Sequence, residues 1–319
     1  MKITKKLRTC IKSGWVRYIL LTLVLYFVGK TLFNQLSRVD FSNLTISWVF
    51  LAGSVFFEIL ARCLTGLGYE RMLAYFKCPL PLVAAVSIAW VSFIGKYLPG
   101  KFFLIAIAMF FFKRYKIPLQ VAGIVPLLST LMTVFAALVL SIPLLFLYKE
   151  QVGFSTSLGI IIIAFFGIFF SFKPKLIFLG FKKIFKKTHD LINPVHLENR
   201  YLRVCLGIAF FQCVCFGVST WFIAKAITSV NIFTILWFIS ITTFANTMGL
   251  FAFFSPAGIG VKDGICFLGL GNIVGTENAA LITVIIRIIY TLMDLGSAGA
   301  GLIYLGLNKT GGHANQPEL

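Results

Sequence analysis

Apolar residues run through this chain in blocks too long for a soluble fold. Unbroken blocks fall at about 15–34, 46–64, 119–147, 153–172, 202–227 and 278–307, each close to or above the roughly 20 residues an α-helix needs to span a bilayer. Two further regions, 82–113 and 231–275, are apolar but interrupted. The first contains Tyr97-Leu98-Pro99-Gly100-Lys101 and the second Ser255-Pro256-Ala257-Gly258-Ile259-Gly260-Val261-Lys262-Asp263. Opened backbone at membrane depth is tolerated only where protein buries it or where it lines a watery cavity. A matched pair of such breaks, one per half, points to a transporter-like binding site.

The basic residues between the blocks predict their direction. Lys2, Lys5, Lys6, Arg8, Lys12 and Arg17 precede the first span with no acid among them, which places that end in the cytoplasm. No small-residue cleavage pattern follows the run from Tyr18 to Val28, so the reading is an uncleaved first membrane helix. Arg38 and Asp40 then fall outside, and Arg62, Arg71 and Lys77 inside. A single crossing by 82–113 would put Lys113, Arg114 and Lys116, and afterwards Lys173 to Lys187, on the wrong face. Both conflicts vanish if 82–97 enters, turns at Pro99-Gly100, and 102–112 returns to the same face.

The second half obeys the same logic. Span 202–227 runs outward, 231–275 enters, breaks at Ser255-Pro256 and returns to an external Thr276-Glu277-Asn278, and 278–307 comes back in. Region 231–253 is long enough to cross fully, so a hairpin competes there with two crossings. The expected fold is all-α: a polytopic integral membrane protein forming one domain over 1–319, with two broken, re-entrant helical hairpins. Its first repeat covers about 44–148 and its second about 201–308, related by inverted topology. A basic linker, 173–200, joins them. Lys182, Lys183, Lys186 and Lys187 share one helical face there and suit an interfacial anchor, each worth about 1 kcal/mol near anionic lipid.

Composition agrees. Charged residues make up 12% and hydrophobic ones 59% of 319 residues, whereas a soluble domain carries about a quarter charged residues. The net charge of +19 would suggest nucleic acid in a soluble protein. Here the positive-inside rule accounts for it, and no nucleic-acid partner is expected. The seven Cys show no zinc or disulfide spacing, and His189, His196 and His313 have no partner motif. No metal, no cofactor and no catalytic constellation is expected.

Charged residues inside spans are rare and usually functional, so each can be weighed singly. Glu58 and Arg62 lie four apart and would pair on one helical face, with Arg62 alternatively snorkelling at the end of the 46–64 span. Lys96 and Lys101 bracket the first break; Lys262 and Asp263 follow the second. Ammonium groups beside backbone N–H freed by a break suit an anionic headgroup such as phosphate; the alternative is shallow hairpins whose lysines reach interfacial water. Arg287 and Asp294 lie two turns apart on the last span. Exposure of Arg287 to lipid would cost at least ~2.5 kcal/mol, so it is expected to face inward and meet Asp294, Asp263 or Glu58. The run Gly296-Ser297-Ala298-Gly299-Ala300-Gly301 has small-xxx-small spacing, which favours close helix contact.

Two stretches carry a family likeness: Gly95-Lys96-Tyr97-Leu98-Pro99-Gly100-Lys101 and Pro256-Ala257-Gly258-Ile259-Gly260-Val261-Lys262-Asp263-Gly264. They resemble the membrane region of bacterial lysylphosphatidylglycerol synthases and the stand-alone flippase-like proteins of that family, over about 15–307. The resemblance implies movement of aminoacylated or other anionic-headgroup lipids between leaflets. In full-length members a soluble aminoacyl-transferase domain follows, and this sequence stops at Leu319, so lipid aminoacylation is not expected of it. Lys101 and Ala257 stand where the family pattern has glycine, and Lys262-Asp263 where it has Arg-Glu.

The expected function is therefore translocation or binding of an anionic-headgroup or lipid-linked substrate in a bacterial inner membrane, with both termini cytoplasmic. The substrate site would comprise Lys96, Pro99, Gly100, Lys101, Pro256, Gly258, Gly260, Lys262, Asp263 and Arg287, with Glu58, Arg62 and Asp294 as charge partners. Two other readings stay open: a membrane glycosyl- or headgroup-transferase, although Asp40, Glu150 and Glu277 are isolated, and an accessory subunit of an envelope-polymer synthesis complex. Beyond membrane lipids, the candidate partners are an envelope-biosynthesis enzyme and a second copy of the chain.

Overall fold

The computed structural model describes residues 46–98, 102–144, 199–252 and 255–307. The expectations for spans 15–34 and 153–172, for almost all of the linker 173–200, and for Pro99, Gly100 and Lys101 lie outside those residues.

Among the described residues every regular element is helical, as the long apolar runs require when each peptide group must find its hydrogen bond within its own segment. In chain order these are α1 (Trp48–Tyr75), α2 (Leu82–Ser92), α3 (Phe102–Phe112), α4 (Leu119–Leu140), α5 (Asn199–Ile227), α6 (Ile235–Phe251), α7 (Val261–Val274) and α8 (Thr276–Leu307). A tight 3-10 turn, Phe93–Tyr97, follows α2, and another, Pro256–Gly258, precedes α7. Five helices among the described residues are long and apolar enough to cross a membrane: α1, α4, α5, α8, and α6 with the turn that leads into it. The chain is a multi-pass membrane protein. By contrast, α2, α3 and α7 have 11, 11 and 14 residues, too short at ~1.5 Å per residue to cross a ~30 Å hydrocarbon core alone.

The order long helix, second helix, break, short helix, long helix occurs twice, with the second helix short in the first half (α2) and long enough to cross in the second (α6). The opening helices of the two halves, α1 and α5, lie side by side and antiparallel. The Ser47 amide donates to the Ala226 carbonyl at 2.9 Å, Ser54 and Ser219 hydroxyls meet at 3.0 Å, and the Tyr75 and Tyr201 rings sit 6.3 Å apart. Each opening helix meets its next helix at a glycine. A Cβ on Gly66 would collide with the Val86 backbone, and one on Gly217 with Ile239. The halves then exchange partners: α2 packs on α8, and α6 packs on α4. Gly301 seats α8 against α2, where a Cβ would stand 2.7 Å from the Ser87 carbonyl oxygen, while Ser141 at the end of α4 faces Thr243 of α6 at 3.4 Å.

Two expectations change. Helix α1, the expected 46–64 span, does not end near residue 64 but runs 28 residues to Tyr75. Arg62 is thus an interior residue, 2% exposed, and does not snorkel; its charge had suggested a helix end because its distant carboxylate partner is invisible in the local sequence. The small-residue run is only partly a contact stripe. Gly301 is pressed against α2, whereas added methyls at Gly296 and Gly299 would meet nothing within 4 Å.

Candidate functional site

The two breaks converge. The turn after α2 packs on the turn before α7, and Tyr97 and Leu98 form a small apolar cluster with Ile94, Ala257 and Leu295. Gly95 closes the first turn: a Cβ there would overlap the backbone of Phe103 and Leu104 on the returning helix. The second turn needs left-handed backbone, with φ of 51° at Ala257, 72° at Gly258 and 86° at Gly260. Gly258 lies so near α6 that a Cβ would come 3.1 Å from Gly249 Cα.

Between the breaks stands α8, and its Asp294 gathers three partners from two other segments. Arg62 donates through Nη1 to Oδ1 at 2.5 Å; Lys96 Nζ lies 2.5 Å from Oδ2, and the Tyr97 hydroxyl donates to Oδ2 at 2.6 Å. Arg62 spreads its guanidinium further, reaching Glu58 Oε1 at 2.6 Å and the Tyr290 carbonyl at 3.4 Å. Glu58 and Asp294 are fully buried. Such charges persist in a dry interior only when paired and hydrogen-bonded. One lone oxygen remains: Glu58 Oε2 has no hydrogen-bond partner.

A second charged group braces the other break. Arg287 donates through Nη1 to the Ala257 carbonyl at 3.2 Å and lies 3.8 Å from Asp263 Oδ1. Asp263 Oδ2 accepts from the Gly260 amide at 3.1 Å, capping the start of α7. The neighbouring Lys262 makes no ion pair among the described residues. Its Nζ sits 4.2 Å from the centroid of the Tyr290 ring, a cation–π contact, and the Tyr290 hydroxyl is anchored by the Phe216 carbonyl and Thr220, each at 3.2 Å.

Of these groups, Glu58, Arg62, Lys96, Lys262 and Tyr290 border a cavity of about 240 Å³. On α1, Glu58, Arg62, Thr65 and Tyr69 recur at helical spacing on one face, and all four line it. Lys96 and Lys262 reach it from the two breaks; Thr130 and Thr133 from α4, Gln212 from α5, and Asn246 and Thr247 from α6 complete a polar wall. Leu104, Val134 and Leu250 supply apolar surface.

Glu58, Arg62, Lys96, Asp263, Lys262, Arg287 and Asp294 thus come together around two adjoining turns, with Gly258 and Gly260 shaping the second. Arg287 meets Asp263, one of its three expected partners, yet it stands behind the second turn and off the cavity wall. Asp294 pairs instead with Arg62 and Lys96. Of Pro256 only the backbone is described, within the second turn. Sequence reasoning missed Tyr97 and Tyr290, whose aromatic side chains do not stand out in a Phe-rich chain. It also missed Gln212 and Asn246, although a side-chain amide inside an apolar span is a readable signal.

Residues 14–297 match the family model described as the lysylphosphatidylglycerol synthase TM region, and the chain belongs to that family. No curated protein matches the chain by sequence.

Proposed function

From that membership, which ties the chain to membrane lipid modification and translocation, we propose that it binds a lipid with an anionic headgroup and passes it between leaflets of the bacterial inner membrane. The two breaks act as re-entrant turns that hold the headgroup path open, and both termini stay cytoplasmic. An inverted relation between the halves is supported by the antiparallel packing of their opening helices. The observation that carries the reading is Lys262, a cation on the cavity wall that makes no ion pair with a carboxylate among the described residues. Among the described residues, Arg62, Lys96, Lys262 and Arg287 face Glu58, Asp263 and Asp294 at this junction. Four cations against three carboxylates leave the junction one charge short of neutrality, which an incoming phosphate supplies. Arg287 serves by positioning the second turn.

The test is transfer of a fluorescent anionic phospholipid across vesicles reconstituted with the full chain. Lys262→Glu is expected to slow transfer at least about tenfold, the equivalent of one charge-assisted hydrogen bond, while the purified variant keeps its melting profile in detergent. A wild-type rate in that folded variant would remove the headgroup role.

A further inference from the structure

The three carboxylates of the junction are held very unequally. Asp294 accepts from Arg62, Lys96 and Tyr97. Asp263 caps the Gly260 amide, faces Arg287 at 3.8 Å and stands off the cavity wall. Glu58 has Arg62 alone, through Oε1, while its Oε2 is buried without a hydrogen-bond partner. Of the three, only Glu58 borders the cavity. An ionised oxygen shut away from water and from any donor is costly, and a neutral carboxyl in the same place far less so. What sustains the charge on Glu58 is the field of the cations around it.

Those cations are shared. Arg62, one turn along α1, divides its guanidinium between Glu58 and Asp294. Lys96, from the first turn, pairs with Asp294, and Lys262 reaches towards Glu58 from α7. Asp294 on α8 is the like charge nearby. The other titratable groups on the cavity wall are Tyr69, Cys213 and Tyr290, and the lining residues of α4 and α6 carry no charge. An anion that enters and draws on Lys96 and Lys262 takes their support from Glu58 and sets a second negative charge beside it. Like charges crowded into one dry site do not all stay ionised. Asp294 keeps its charge through three donors, so Glu58 is the group that yields. We propose that Glu58 is a proton-binding site of the cavity and that each anion enters together with one proton. A hydronium ion from the side to which the cavity is open gives its proton to the Glu58 carboxylate and leaves as water; the reverse step releases the proton with the anion. Arg62 is then left to Asp294, and one negative and one positive charge have arrived together. Anion binding therefore weakens as pH rises, and a pH difference across the membrane drives transfer. The inference rests on the anionic cargo proposed above and adds the ion that travels with it.

Two measurements separate the proton claim from the cargo claim. In the first, infrared difference spectra of the detergent-solubilised full chain are recorded as ether-linked phosphatidylglycerol, a probe anion without ester carbonyls, is added. A protonated-carboxyl C=O band is expected to appear in wild type and to be absent from Glu58→Gln; zwitterionic ether-linked phosphatidylcholine is expected to raise none. If Glu58→Gln does not fold, Glu58→Asp, which keeps a carboxyl and moves its frequency, identifies the band instead. In the second, vesicles holding the full chain are clamped at zero membrane potential, and one side is made one pH unit more acidic. Relative to protein-free vesicles, labelled phosphatidylglycerol is expected to gather about tenfold in the leaflet facing the alkaline side, the equivalent of one proton per lipid. In Glu58→Gln the leaflet ratio is expected to stay at its value without a gradient, whatever the absolute rate. A band or a gradient response that survives in Glu58→Gln overturns the assignment to Glu58. Wild-type transfer with neither band nor gradient response overturns proton coupling and leaves the anionic cargo standing. A band without transfer supports the proton site and removes transport. Neither band nor transfer overturns both claims.

Discussion

At the scale of single residues, the buried charges form a hub rather than separate pairs. Asp294 receives Arg62, Lys96 and Tyr97, whereas Glu58 shares only Arg62. Removing a buried charge strands its partners, typically at about 3–5 kcal/mol. Asp294→Asn, which strands Lys96 and leaves Arg62 with Glu58 alone, is therefore expected to destabilise the chain by that amount. Tyr97→Phe removes one hydrogen bond to a charged oxygen, worth about 1.5–3 kcal/mol. Glu58→Gln costs least, because Arg62 keeps Asp294. Thermal unfolding of the three variants in one detergent checks the order; Glu58→Gln melting below Asp294→Asn would mean that Asp294 is not the hub. Little of this was legible in the sequence beyond the Glu58–Arg62 spacing. The other contacts join residues 197 to 232 positions apart, and no local pattern encodes that distance.

At the scale of elements, the breaks were legible because proline, glycine and charge are conspicuous inside apolar runs. The helices on either side of them end close to where those residues predict. Helix ends marked by charge alone were less reliable, as α1 shows: its interior Arg62 is neutralised across the fold. Glycines differ in the same way. At Gly258 the backbone is left-handed and Gly249 is close by, so Gly258→Ala is expected to disturb the second turn and lower lipid transfer. At Gly296 the helix is regular and the space open, where Gly→Ala adds up to about 1 kcal/mol of helix stability. Melting points of the two variants should therefore move in opposite directions. A fall for Gly296→Ala would place that face against something outside the described residues.

For the whole molecule, the orientation derived from basic residues can be checked directly. In a background with all seven natural cysteines replaced, Lys113→Cys is expected to react with an impermeant thiol reagent from the cytoplasm and Glu277→Cys from the periplasm. Labelling of Lys113→Cys only from the periplasm would dismantle the re-entrant reading of the first break. What the sequence order could not convey is the exchange between halves, in which α2 seats on α8 and α6 on α4. That exchange imposes a timetable on synthesis, since chains emerge from the ribosome N-terminal end first. Arg62 and Lys96 are made long before Asp294 exists, with Glu58 their only nearby anion among the described residues. Until the final helix is delivered, the newborn first half carries surplus positive charge into the lipid, and a passing phospholipid phosphate is the natural temporary escort.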